Sequence, residues 1–309
     1  MEFVPGIRLK MKKNPSFLIN NPYGIGDVLF STPLVKNLRQ RFPECRLTYM
    51  CSPRTRGVLA ENPHIDGVIT YDRDAFKALR RRSPAGWALG MGRHVLSLAR
   101  QRFDVVFDCS LNSQYGFTEL MAGIGTRVGF DFKGRGRFLT HKVPLPEGYV
   151  EKHVVFHYLD LLKLTGVEVV ACPYEIFLSD VERLAAERFL AERDIGLQGG
   201  FVALCPGGGE SWGKDAGYKR WPLERWCELT RWLVEHGERV LVFAGPGEES
   251  LAQGVCQGVQ GHVLPVTGTS LREFFALLSR ARLAVCNDGG PLHATAALGV
   301  RTVSMIGPV

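Results

Sequence analysis

Short apolar runs alternate with longer amphipathic stretches along almost the whole chain, and nearly every apolar run stops at a turn rich in Gly, Asn or Asp. Strands separated by helices cannot close as hairpins. They pair in parallel, with the intervening helices covering the sheet faces. In the first half the predicted strands are SFLIN (Ser16–Asn20), CRLTYMCS, DGVITYD, FDVVFDCS and TRVGFD. Between them, DVLFSTPLVKNLRQRF and TRGVLAEN read as helices, as do a basic region ending near Arg102 and a segment around Ser113–Met121. Lys133–Tyr149 reads as loop and EKHVVFHYLDLLKLTGV as a helix with an apolar face. After YEIFLSDVERLAAERFLAERDIG a second cycle begins with GFVALCPGG, and a helix following FAGPGEES is expected to end near Gln260. The series closes with HVLPVTG, SLREFFALLSRA, RLAVCNDGG, PLHATAALG and RTVSMIGPV. The fold class is therefore α/β, in two halves of similar type. The break falls around residues 165–180, giving domains 1–170 and 171–309.

In such sheets ligands bind outside the carboxyl ends of the strands, and two facing sheets would make a cleft. Four loops there carry chemistry. In NNPYGIGDVLFSTP, Asp27 lies where a helix begins; it is either an N-cap or a carboxylate placed as a base. In CPGGGESWGKDAGYKRWP, glycines including Gly207 and Gly208 permit close approach of a ligand. Lys219 and Arg220 precede a helix start, a favourable place for a diphosphate. Trp212, Trp221 and Trp226 read as packing around this loop. In FAGPGEES, Glu248 is either a helix-start solubiliser or an acceptor for ribose hydroxyls. In CNDGGPLHATAALG, Asp288, Gly289 and Gly290 suit phosphate or sugar, and His293 is either a core or capping histidine or a ligand contact.

Composition removes several classes. The net charge is +7, from 38 Lys and Arg against 31 Asp and Glu. It suits an anionic ligand or surface and does not require nucleic acid, because the basic residues read as spread along the chain; the densest runs are Leu79–Arg82 and Lys133–Arg137. The eight Cys lack the close pairs of zinc sites and read as thiols of a reduced compartment. No metal site and no cofactor are expected. The apolar run after the basic N-terminus is too short for a signal-peptide core, and no run approaches the roughly 18 apolar residues of a spanning helix. A cytoplasmic, monomeric protein is expected, with peripheral contact at the inner membrane left open.

The order of these loops resembles the bacterial lipopolysaccharide heptosyltransferases, glycosyltransferase family 9. The likeness is carried by GIGDVLFSTPLVKNLRQRFP, AGIGTRVGFD, CPGGG, YKRWPLERWCELTRWL, FAGPGEE and NDGGPLHATAALGVRTVSMIGP. It implies a GT-B fold, two Rossmann-like domains facing across a cleft, the first for the acceptor and the second for the nucleotide sugar. It implies inverting transfer of heptose from ADP-L-glycero-D-manno-heptose to the lipid A–core oligosaccharide. Carried onto this chain, the base falls on Asp27, the diphosphate contacts on Lys219 and Arg220, the adenosine contact on Glu248, and the sugar and phosphate contacts on Asp288 and His293. Gly289 stands where the family has Thr or Ser, so the amides of Gly289 and Gly290 would replace a hydroxyl. NNPY ahead of the first loop departs from the family's usual Arg, Lys or Ser, which leaves the acceptor contacts open. The Lys219 loop is more similar to second-heptose than to first-heptose enzymes.

Three rival readings stand beside this one: a related transferase using another nucleotide sugar, an inactive sugar-nucleotide binding module, and a nicotinamide-dependent enzyme. The last is weakened because neither glycine loop meets the dinucleotide fingerprint. The chain ends on VSMIGPV, a strand with no helix after it, so a C-terminally shortened second domain is expected.

Overall fold

The computed structural model describes residues 12–195, 200–207 and 220–306. The chain divides into two compact units, Met1–Tyr174 and Glu175–Val309.

The first unit runs β1 (Ser16–Asn20), α1 (Ile25–Arg41), β2 (Arg46–Cys51), a 3-10 helix (Pro53–Leu59), β3 (Gly67–Thr70), α2 (Arg73–Arg82) and α3 (Pro84–Gln101). It continues with β4 (Val105–Asp108), α4 (Ser113–Met121), β5 (Thr126–Asp131), β6 (His141–Pro144) and α5 (Val154–Lys163). All strands are parallel, in the order β3-β2-β1-β4-β5-β6. Chain direction across the sheet reverses between β1 and β4, which makes their carboxyl ends the switch point. β1 and β4 are buried almost throughout, as a strand covered on both faces must be.

Four local expectations need correction. A strand, β6, lies inside the segment read as loop; it pairs with β5 at the sheet edge and ends on Pro144, where a missing donor costs least. TRGVLAEN forms a 3-10 helix, not an α-helix. The basic helical region breaks in two at Ser83-Pro84, where Ser83 ends α2 and its Oγ accepts from the Gly86 amide to start α3. The helix expected to reach Gln260 ends at Cys256.

Helix α1 carries Pro33 in its interior. Proline cannot donate to the Leu29 carbonyl, and the Thr32 hydroxyl does so instead at 2.7 Å. Buried Asn37 then reaches the distant segment: its Nδ2 donates to the Val170 carbonyl at 2.9 Å, and its Oδ1 accepts from the Val170 amide at 2.7 Å. Phe30 meets Tyr174 edge-on at 5.3 Å between centroids. These contacts bind residues 170–174 to the first unit.

The second unit runs α6 (Asp180–Ala191), β7 (Val202–Cys205), α7 (Leu223–Glu235), β8 (Val240–Phe243), α8 (Glu249–Cys256), β9 (Val263–Val266), α9 (Leu271–Leu278), β10 (Leu283–Asn287), α10 (Gly290–Ala297) and β11 (Thr302–Met305). Its parallel sheet has the order β11-β10-β7-β8-β9, so the switch point lies between β7 and β10. Trp226 is fully buried in the core and meets Trp221 edge-on at 5.4 Å; Trp212 lies outside the described residues. Ser179 and Glu182 form a capping box at the start of α6. Arg272 of α9 grips the same Glu182 with two bonds of 2.7 and 2.5 Å, holding its carboxyl down at about 2. All eight cysteines are free thiols. No helix among the described residues is long and apolar enough to cross a membrane.

Candidate active site

At the first switch point the chain leaves β1 through Asn20 and Asn21, both fully buried. Asn21 prolongs the sheet by donating its amide to the Met50 carbonyl at 2.9 Å. Its Nδ2 donates to the Asp27 carbonyl at 2.9 Å, which folds the loop back onto the first turn of α1. Asp27 is the third residue of that helix. It is not the N-cap; that position belongs to Gly24, whose amide donates to Asp27 Oδ2 at 3.2 Å. The carboxylate therefore closes the helix start from within. Burial raises its pKa above the usual aspartate value, and the backbone bonds pull only partly against this. A half-buried carboxylate raised in this way is a better proton acceptor than an exposed one.

Behind this loop lies a buried group that the sequence reading missed. Asn20 Nδ2 donates to Asp108 Oδ1 at 3.2 Å, at the end of β4, and to Glu119 Oε1 at 3.0 Å, on α4. The Ser110 amide adds a 2.8 Å bond to Asp108. Burial raises Asp108 to about 7 and Glu119 well above its usual value, with the Asp108 charge adding to the latter. Tyr23 joins the two loops of the switch point, its Oη accepting from the Leu111 amide at 2.8 Å. Asp108 sits inside an apolar strand string and looks in sequence like any strand-end polar residue. Only its juxtaposition with Asn20 and Glu119 singles it out.

In the second unit, Arg220 and Glu248, assigned separately in sequence, meet directly: Arg220 Nη2 donates to Glu248 Oε1 at 2.7 Å. Glu248 is buried and stands immediately before α8. Gly247, in the left-handed region at φ 79°, makes the turn that brings it there. A Cβ on Gly207 would lie 2.0 Å from Glu248 Oε2, so any side chain there would push the Glu248 carboxyl out of its place. Gly208 and Lys219 lie outside the described residues.

Asn287, also missed in sequence, holds the site together. It is buried at the end of β10; its Nδ2 donates to the Pro206 carbonyl at 2.6 Å, and its Oδ1 accepts from the Trp221 amide at 3.2 Å. One side chain thus fixes both sides of the switch point and the entry to α7. Asp288 follows, its amide bonded to the Met305 carbonyl at 3.2 Å. Gly289 caps α10 without a side-chain bond, Gly290 opens the helix, and His293 lies half-buried in its first turn. The start of α7, at Pro222, likewise has no side-chain cap. Two helix starts without a side-chain cap among the described residues, together with a guanidinium, suit an anion.

The sequence profile of glycosyltransferase family 9 (heptosyltransferase) matches residues 91–309. Among curated proteins, the chain is 23% identical to the lipopolysaccharide core heptosyltransferase OpsX of Haemophilus influenzae, over 91% of this chain and 76% of that one. It is 24% identical to lipopolysaccharide heptosyltransferase 2 of Escherichia coli, over 94% of this chain and 82% of that one. Among solved structures, a family 9 glycosyl transferase from Veillonella parvula superposes with a TM-score of 0.82 at 22% identity, covering 98% of this chain and 84% of that one. The E. coli ADP-heptose heptosyltransferase II superposes with a TM-score of 0.74 at 20% identity, covering 94% and 84%. The two parallel α/β units are thus of the GT-B class. With the family profile spanning the second unit and the latter part of the first, more than half of the chain, the chain belongs to glycosyltransferase family 9, the heptosyltransferases.

Proposed function

We propose that this glycosyltransferase moves heptose from ADP-L-glycero-D-manno-heptose to the lipid A–inner core oligosaccharide, with inversion. The observation that carries this reading is the Asp27 carboxylate, closed onto Gly24 and raised by burial at the first switch point. In this reading the first unit handles the acceptor and the second the nucleotide sugar. Asp27 takes the proton from an acceptor hydroxyl while that oxygen bonds to the anomeric carbon from the face opposite the diphosphate. The bond from the anomeric carbon to the diphosphate oxygen breaks, and ADP leaves with the electron pair. Arg220, Lys219 and the amides of Gly289 and Gly290 stabilise the growing negative charge. Glu248 orients Arg220 through their 2.7 Å bond and completes the nucleoside end of the site; Asp288 and His293 flank the sugar and phosphate. Names among the relatives support the reading: one solved neighbour is E. coli heptosyltransferase WaaC with ADP-2-deoxy-2-fluoro heptose, at 21% identity. The enzyme works as a monomer on the cytoplasmic face of the inner membrane.

A product assay tests this directly. The purified chain is offered ADP-heptose and, separately, UDP- and GDP-sugars, with lipid A–core acceptors truncated at successive positions. Transfer from ADP-heptose alone, to one truncation, is expected. Transfer only from another nucleotide sugar would overturn the donor, and nucleotide binding without transfer to any acceptor would mark a binding module.

A further inference from the structure

The positive charge of this chain is not evenly spread. Residues 72–102 hold eight Arg and Lys against two Asp, a net +6 within a chain whose total is +7. This segment is the α2–α3 hairpin. Helix α2 buries none of its residues and α3 buries only Leu98, whereas most of α1 is buried. The seam between α2 and α3 is built from Phe76 and Leu79 against Gly86 and Gly90. On the outer side of α3, Leu89 and Leu96 are 58% and 49% exposed, two helical turns apart on one stripe. Helix α4 packs beside α3 and exposes Phe117 and Met121 as well. Phe117 meets Phe138 at 5.2 Å, and Arg137 lies over the Phe138 ring at 4.8 Å, so a cation of the β5–β6 turn borders this apolar crest too.

We propose that the outer face of α2, α3 and α4 docks on an anionic phospholipid bilayer. The α2 guanidinium groups lie among the headgroups, and Leu89, Leu96, Phe117 and Met121 enter the interface. Apolar side chains flanked by arginines on a surface helix are the composition that holds a protein in the plane of a membrane. A second copy fits poorly, because a twofold contact would press one +6 face against another. Duplex nucleic acid would satisfy the cations and leave the apolar crest in water. The proposal rests on the lipid-linked acceptor reading above, and it is tested without donor or acceptor, so either can fail alone.

The whole chain is sedimented with vesicles of phosphatidylcholine containing phosphatidylglycerol, and with vesicles of phosphatidylcholine alone. Binding to the anionic vesicles is expected, weakening with salt, with none to the neutral ones. Combined Arg80→Gln, Arg81→Gln and Arg82→Gln should lower partitioning about a hundred-fold. Combined Leu89→Ser and Leu96→Ser should lower it about tenfold and leave the salt dependence in place. Both variants should keep the parent melting temperature, since neither set is buried; if the arginine variant melts early, the leucine pair decides. Equal binding to both vesicle types, or binding unaffected by the leucine pair, would overturn the proposal. So would a dimer in light scattering that the leucine substitutions dissociate, or tighter binding to duplex DNA than to vesicles.

Discussion

Both units bury a carboxylate at a switch point, and each neutralises it differently. In the first, Asp108 and Glu119 share the amide of Asn20, and among the described residues no ion pair reaches either. Burial keeps a proton on the pair, with Asp108 raised to about 7 and Glu119 raised well above its usual value. In the second, Glu248 is met by the Arg220 guanidinium at 2.7 Å, and Arg272 holds Glu182 at about 2. A proton is exchanged with solvent as pH changes, whereas a guanidinium keeps its charge throughout. The first site therefore answers to pH through Asp108.

The largest expected effect breaks the comparison on its chemical side. Asp27→Asn keeps an acceptor for the Gly24 amide and removes the base. Turnover should fall about 10²- to 10⁴-fold with ADP binding, read by calorimetry, unchanged. Retained transfer would remove Asp27 from the mechanism.

Arg220→Ala tests the cation. It removes the guanidinium bond to buried Glu248, although the Arg220 side chain is itself 36% exposed. A loss of about 1–2 kcal/mol is expected, below that of a fully buried pair, together with weaker ADP binding; Arg220→Lys should recover part of both. An unchanged melting temperature and ADP affinity would mean that Glu248 needs no cation.

The smallest effect concerns the proton. An unfolded aspartate ionises near its usual 3.8, while Asp108 in the fold holds its proton to about 7. Between those values the folded state binds more protons, so this group's contribution to stability falls as pH rises through the window and levels off above it. Glu119, raised by burial and by the Asp108 charge, adds a decline of the same sign. Glu119→Gln keeps an acceptor for Asn20 and cannot ionise. It should change stability at pH 6 by less than about 1 kcal/mol and flatten the decline measured by urea unfolding at higher pH. A decline that persists undiminished in this variant would place its origin elsewhere.

How much of this was legible in sequence depends on the range of the interaction. Asp27, Gly207 and Asp288 stand in loops whose turns are local, and a glycine or an aspartate after an apolar run marks them. Glu248 and Arg220 were each visible, yet their pairing spans 28 positions and was not. Asn20 and Asn287 are strand-end amides with no local signature; their partners lie 99 and 81 positions away. The strand β6 escaped because an edge strand needs little apolar alternation when its neighbour supplies the pairing. The charge of residues 72–102 was countable along the chain, and reading the basic residues as spread out overlooked it. What the sequence does not show is that this segment folds as two helices packed together, α2 against α3, with almost nothing buried.

By itself, the sequence determined the α/β alternation and the glycine-bearing turns that follow its strands. Each of these follows from short-range periodicity and turn chemistry, which a linear string preserves. The tertiary structure decided which strands lie side by side at each switch point. It thereby decided which buried carboxylate meets a guanidinium and which must keep a proton, because the cost of burying a charge depends on neighbours that the chain brings together only on folding.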